Sequence, residues 1–204
     1  MERRALTLPE LLVVVTIVAV LAGLLMPVFA SARKRALIGV STSNLRQLAQ
    51  AQNLYLADSD GREPVDLQAV DPYVKEDRIY LSPLDPEMGF NMKLTKKFGK
   101  PVSYFWSNSY LGHFGGDLSD VAVFVDVLIG EQVRTQAPGQ LGSYKGNVLR
   151  AMRDTSVKSK PVPHKCADAG GGQLVGRPFW VVFTDRPCPP GICPAGSTDC
   201  EPSP

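Results

Sequence analysis

The chain has 204 residues and a net charge of +2 at neutral pH, so it has room for one globular domain and an appendage, and it lacks the strongly basic surface typical of nucleic-acid-binding proteins. Hydrophobic residues make up 44% and charged residues 21%, a composition that excludes a wholly disordered protein. The residue types are segregated along the chain: an uncharged apolar stretch lies near the N-terminus, and residues 161–204 hold 9 of the 17 prolines and all four cysteines.

The apolar stretch predicts a membrane helix. Residues 11–32 contain no charged residue, and residues 11–26 are almost entirely Leu, Val, Ile and Ala. A helix over residues 11–30 would be about 30 Å long, which matches the hydrocarbon core of a bilayer. A buried helix in a soluble domain is the alternative, but the chain is too short to cover an all-round apolar surface. Glu10 marks one edge of the stretch, and Pro27 lies near the other.

The helix is expected to continue as an amphipathic segment over residues 31–57. This segment contains no proline, and its apolar residues recur at helical spacing: Leu37, Val40, Leu45, Leu48, Ala51 and Tyr55. Such a stripe suits a helix that packs on a sheet. Residues 58–61, Asp-Ser-Asp-Gly, predict the end of the helix rather than a calcium loop, because the further acidic ligands of such a loop are missing.

The remaining sequence predicts short elements separated by turns. Strands are predicted over residues 102–106, 121–129 and 179–184, with a short helix within residues 70–80. One long helix followed by several strands predicts an α+β fold in which the helix packs on an antiparallel sheet. The expected organisation is a leader (1–5), the membrane half of the helix (6–30), its amphipathic half (31–57), an α+β head (58–160), and a Pro/Cys-rich C-terminal region with one strand (161–204).

The apolar helix begins with the sequence Ala5-Leu6-Thr7-Leu8-Pro9-Glu10-Leu11-Leu12-Val13-Val14. This sequence resembles the prepilin cleavage and methylation motif of type IV pilins and type II secretion pseudopilins. The family pattern is a basic leader ending in glycine, then Phe-Thr-Leu-x-Glu, then an apolar helix. The residues in register with it are Leu6, Thr7, Leu8 and Glu10. Two positions depart from the pattern, since Ala5 replaces the glycine and Leu6 replaces the phenylalanine.

The resemblance implies a processed and assembled subunit of a bacterial filament. Prepilin peptidase would cleave between Ala5 and Leu6 and methylate the new amine of Leu6. Glu10 would neutralise the Leu6 ammonium of a neighbouring subunit. The resemblance also implies a pilin-like fold, a single pass through the bacterial inner membrane with the C-terminal part periplasmic, and assembly with other pilin or pseudopilin subunits into a type IV pilus or a type II secretion filament. No nucleic-acid partner is indicated.

A second interpretation of the same stretch stays open. Ala30-Ser31-Ala32 has the small-x-small form of a secretory cleavage site, and cleavage there would release a soluble protein. The apolar run is longer than that of a usual signal peptide, and three cations follow the site at once, which argues against this interpretation. The alternative function is a secreted or membrane-anchored extracytoplasmic binding domain that does not polymerise. The choice between pilus and secretion filament, and the filament's task, also stay open.

The cysteines are interpreted as disulfide partners, and no catalytic group is predicted. Cys166, Cys188, Cys193 and Cys200 form no Cys-x-x-Cys pair, which favours disulfides over zinc and leaves three possible connectivities. No hydrolase, phosphate-loop or metalloprotease motif is present, so a non-enzymatic role with no cofactor is expected. Some pseudopilins bind calcium in a loop of the C-terminal region, and residues 115–120 have a similar acid and glycine content, but no ligand can be assigned.

Overall fold

The computed structural model describes residues 8–108, 118–134, 141–162 and 182–186. The chain divides into two compact units, Met1–Leu37 and Ile38–Pro204. The described elements are α1 (Leu8–Asp58), 3-10 helices over Leu67–Ala69, Asp71–Tyr73 and Asp77–Tyr80, α2 (Met92–Phe98), β1 (Phe105–Trp106), β2 (Phe124–Asp126), β3 (Glu131–Arg134), β4 (Leu141–Ala151) and β5 (Val157–Val162).

The predicted long helix is present as α1 and ends where the sequence indicates. Asp60 and Gly61 both have positive φ angles, 53° and 75°, which is the left-handed conformation that closes many helices. The amide of Gly61 donates a hydrogen bond of 2.8 Å to the carbonyl of Leu56. The carboxylate of Asp58 accepts a hydrogen bond from the Tyr73 hydroxyl at 2.9 Å. These contacts confirm that residues 58–61 terminate the helix.

The sheet is antiparallel and is organised around β4. β5 pairs with residues 146–151 of β4, β2 pairs with residues 149–151, and β3 pairs with residues 141–145. β1 pairs with β2. The registers of β2 and β3 on β4 agree to within one residue, so the two strands can be taken as one interrupted strand of a four-stranded sheet.

The second half of α1 packs on this sheet through one core. Leu45 and Leu48 of α1 are fully buried in the same cluster as Trp106 of β1 and Phe124 of β2. The rings of Trp106 and Phe124 are stacked with their centroids 6.3 Å apart. Burial of one such leucine contributes about 1.5–3 kcal/mol to stability. The predicted α+β class, with a long helix on an antiparallel sheet, is therefore confirmed.

The buried face of α1 differs in part from the predicted stripe. Val40 is 50% exposed, whereas the polar Ser41 and Gln52 are buried. Leu45, Leu48 and Ala51 are buried as predicted. The polar side chains can lie inside because each has a hydrogen-bonding partner in the head.

Two of the three strand predictions were right in place but wrong in extent. Only residues 105–106 of the predicted 102–106 strand and 124–126 of the predicted 121–129 strand are in the sheet. Two of the amides outside these strands bond elsewhere: Ser103 donates to the carbonyl of Tyr80 at 3.0 Å, and Ala122 donates to that of Phe183 at 2.8 Å.

Two further differences concern the C-terminal half. Of the predicted strand over residues 179–184, residues 179–181 lie outside the described part, and Val182 and Phe183 have helical backbone. β4 and β5 were not predicted, because a glycine-containing sequence with lysine and arginine lacks the usual apolar alternation of a strand.

Candidate assembly segment and the polar anchors of the head

The first unit exposes a continuous apolar surface. From Leu8 to Phe29 the large apolar side chains are each 54–78% exposed. This part of α1 is long and apolar enough to cross a membrane and is the candidate membrane span among the described residues. Soluble monomers rarely expose apolar patches of this extent. The segment therefore needs an apolar surrounding, and a membrane span and a signal sequence both have this form.

The few polar groups of the span are satisfied within the helix. The Thr16 hydroxyl donates to the carbonyl of Leu12 at 2.8 Å, and the Ser31 hydroxyl donates to that of Val28 at 2.8 Å. Such internal bonds reduce the cost of placing hydroxyl groups in an apolar surrounding. α1 continues through Pro27, which cannot donate to the carbonyl one turn before it.

Only one of the residues predicted to act in processing and assembly lies in the described part of the chain. Glu10 is in the first turn of α1, where a carboxylate is stabilised by the helix dipole, and it is exposed. Ala5 and Leu6 lie outside the described residues, as do Cys166, Cys188, Cys193 and Cys200. Cleavage, methylation and disulfide formation therefore stay predictions.

In the head, a buried carboxylate joins α1 to the sheet. Asp126 of β2 has no exposed surface. One of its oxygens accepts hydrogen bonds from the hydroxyls of Ser41 in α1 and Ser82, at 2.5 Å and 2.8 Å. The other oxygen accepts the amide of Leu128 at 2.8 Å. Burial raises the pKa of Asp126 despite these donors.

A second buried carboxylate organises the neighbouring loop. Asp85 accepts hydrogen bonds from the Ser103 hydroxyl at 2.6 Å and from the amides of Gly89 and Phe90 at 2.8 Å and 2.7 Å. Burial alone would raise its pKa, but these donors outweigh burial and hold the pKa below the usual value. The negative charge of Asp85 adds to the rise in the pKa of Asp126. The two carboxyl groups thus differ in environment and both serve packing.

Gln52 forms the other polar anchor of α1. Its side-chain oxygen accepts a hydrogen bond from the indole N–H of Trp106 at 2.9 Å. Its amide nitrogen donates to Asn108 at 3.1 Å and to Glu63 at 3.3 Å. Glu63 in turn pairs with Arg153 at 2.5 Å. The amphipathic half of α1 is therefore fixed to the head by polar contacts on both sides of the Leu45–Leu48 core.

Residues 182–186 are held on the sheet by a buried arginine. Arg150 of β4 donates to the carbonyl of Val182 and to the carboxylate of Asp185, both at 2.7 Å. A second ion pair joins Arg186 to Asp120. Asp120 belongs to the stretch considered for calcium, and residues 115–117 of that stretch lie outside the described part. Within the described ranges, no three His, Cys, Asp or Glu side chains come together as a metal site.

The head also has a cleft of about 520 Å³ beside α1, with Lys75 and Arg78 among its lining residues. The buried polar residues that line it, Ser82 and Asp85, both form hydrogen bonds within the head. We assign no ligand to this cleft. No family model, curated protein or solved structure matches the chain. The functional inference therefore depends on the residues and contacts of this chain alone.

Sequence reasoning did not identify Ser41, Asp126 or Arg150. For Asp126 a signal was present, because it is the one charged residue within the apolar run 121–129. A charged group inside a buried strand needs hydrogen-bonding partners, and small hydroxyl side chains on the facing helix are candidates. The choice of Ser41 over the other serines required the register of helix and sheet.

Proposed function

We propose that the chain is a structural, non-enzymatic, pilin-like subunit that is processed by prepilin peptidase and assembles through the first half of α1 into a type IV pilus or type II secretion filament. The observation that carries the proposal is the exposed apolar surface of α1 directly after Glu10, which is in register with the prepilin motif. The α+β head, with a helix on an antiparallel sheet, is compatible with this role. The site of action is the bacterial inner membrane, with the head periplasmic.

In this proposal, Glu10 supplies the charge that makes assembly specific. A carboxylate drawn toward the centre of a bilayer costs about 2–3 kcal/mol or more. Within a packed helix bundle, the methylated ammonium of Leu6 in a neighbouring subunit would offset this cost, because opposite charges in contact compensate each other's lost hydration. The apolar side chains of residues 11–29 would then pack against the helices of other subunits.

The test is the variant Glu10→Gln, expressed in the native host. We expect this variant to insert in the membrane, since removal of a charge does not hinder insertion. Its amount in filaments cross-linked in intact cells should fall at least tenfold relative to the unmodified chain. Thr16→Val is the matched control. It removes a side-chain polar group from the same span, but the Thr16 hydroxyl bonds only to its own helix in the described contacts, so incorporation should be unchanged.

A non-polymerising membrane-anchored or secreted binding domain is the alternative. It predicts that neither the unmodified chain nor either variant gives cross-linked ladders, while the membrane or secreted fraction is unchanged. Incorporation of Glu10→Gln at the unmodified level, with ladders present, would instead contradict the pairing role of Glu10.

A further inference from the structure

The charges of α1 are unbalanced. Between Glu10 and Asp58 the chain contains no acidic residue, but it contains four cations: Arg33, Lys34, Arg35 and Arg46. The first three are consecutive, begin directly after the uncharged stretch 11–32, and are exposed. Ion pairs within a helix join residues three or four positions apart, so α1 itself offers these cations no acidic partner.

We propose that residues 33–35 form a basic collar that binds the phosphate headgroups of anionic phospholipids. The proposal rests on the membrane-spanning part of the proposed function and adds the lipid class that the protein selects.

The position of the collar follows from the length of the uncharged stretch. Twenty-two residues, 11–32, rise about 33 Å as a helix, close to the thickness of a bilayer core of about 30 Å. When Leu11 lies at one face of the hydrocarbon, Arg33 therefore lies at the headgroup level of the other. Long cationic side chains reach the interface readily from this depth.

The arrangement of the three residues favours lipid over one protein partner. Successive helical residues point about 100° apart, so the collar covers about 200° of the helix circumference. A single acidic side chain would meet one of these directions, whereas headgroups surround the helix on every side. Two of the three residues are arginines, whose planar guanidinium groups bind phosphate through two parallel hydrogen bonds.

The test is native mass spectrometry of the full chain in detergent micelles that contain equal amounts of phosphatidylglycerol and phosphatidylcholine with the same acyl chains. We expect the unmodified chain to retain more phosphatidylglycerol. The triple variant R33Q/K34Q/R35Q should lose most of this preference, since Arg3 and Arg4 stay in the full chain. R35Q alone should lower the ratio of phosphatidylglycerol to phosphatidylcholine about fivefold. Higher salt should also lower the ratio.

Arg46→Gln is the matched control, because Arg46 is an exposed cation of the same helix, eleven residues beyond Arg35. Its lipid ratio should equal that of the unmodified chain. Equal retention of the two lipids by the unmodified chain, a preference that survives undiminished in the triple variant, or an equal loss in R46Q and R35Q would each overturn the collar.

A measurement of membrane insertion distinguishes failure of the lipid-binding proposal from failure of the proposed function. If carbonate extracts the chain from its native membrane, the span is contradicted and the collar with it. If the chain resists extraction but retains both lipids equally, the collar alone is overturned. The same second result is expected if the collar instead binds an acidic side chain of a neighbouring protein.

Discussion

At the scale of single residues, buried polar groups of the head form hydrogen bonds that hold α1 and the neighbouring loop in place. Asp126 and Asp85 are both buried, but Asp85 has enough hydrogen-bond donors to hold its pKa low, whereas burial raises the pKa of Asp126. The folded head therefore holds one carboxyl group that favours ionisation and one that resists it. Because the two pKa values shift in opposite directions, the contributions of Asp85 and Asp126 to stability change in opposite directions with pH.

The substitution Asp126→Asn tests the environment of the buried carboxyl group. A folded-state pKa above the unfolded value of about 3.9 means that the folded protein binds more protons between the two values. The contribution of Asp126 to stability is therefore greatest at low pH and falls as the pH rises through this interval. Urea unfolding of the full chain in detergent should show the Asn variant gaining stability relative to the unmodified protein as the pH rises from 3.5 to 7.

The hydroxyl groups of Ser41 and Ser82 can rotate to accept from the new amide, so the Asn variant should fold. A stability difference that stays constant over this range, or that changes in the opposite direction, would contradict the raised pKa. Asp126→Ala is a separate check on the hydrogen bonds. It leaves the donors without an acceptor, at a cost of about 1–3 kcal/mol for each buried donor.

At the scale of elements, α1 has two halves with different surroundings. The first half exposes its apolar side chains, and the second half buries Leu45 and Leu48 against the sheet. A single helix can serve both roles because the apolar residues surround the first half but form a stripe on the second.

A pair of leucine substitutions in the second half tests the packing of the helix on the sheet. Leu45→Ala should lower the free energy of unfolding by about 2–5 kcal/mol, because Leu45 is fully buried and the cavity would be lined by core side chains. Leu54→Ala makes the same chemical change on the same helix at a side chain that is 55% exposed, and should cost under about 1 kcal/mol. Urea unfolding followed by tryptophan fluorescence measures both, and equal costs would contradict the described packing.

The sequence predicted α1 well and the sheet only in part, for a physical reason. Helix periodicity and the Asp-Ser-Asp-Gly terminator are local, so they predicted both the extent and the end of α1. β4 is stabilised by pairing with β2, β3 and β5, and its own residues alternate poorly, so no local pattern indicated it. The burial of Ser41 likewise depends on Asp126, a residue 85 positions away.

At the scale of the whole molecule, the parts of the chain differ in what they contribute. Residues 11–32 supply an apolar surface without charge, and the head supplies a core that holds the second half of α1. Residues 182–186 are fixed to β4 and Asp120 by ion pairs, which ties part of the C-terminal region to the head.

Whether the chain is processed as a prepilin can be read from the mass of the N-terminal peptide of the chain recovered from its native envelope. Processing as a prepilin predicts a chain that begins at Leu6 with a methylated amine. A chain that begins at Arg33 would contradict prepilin processing, because the whole apolar segment would be removed and a secreted domain would be left. An intact Met1 would contradict it as well, and would indicate a simple membrane anchor.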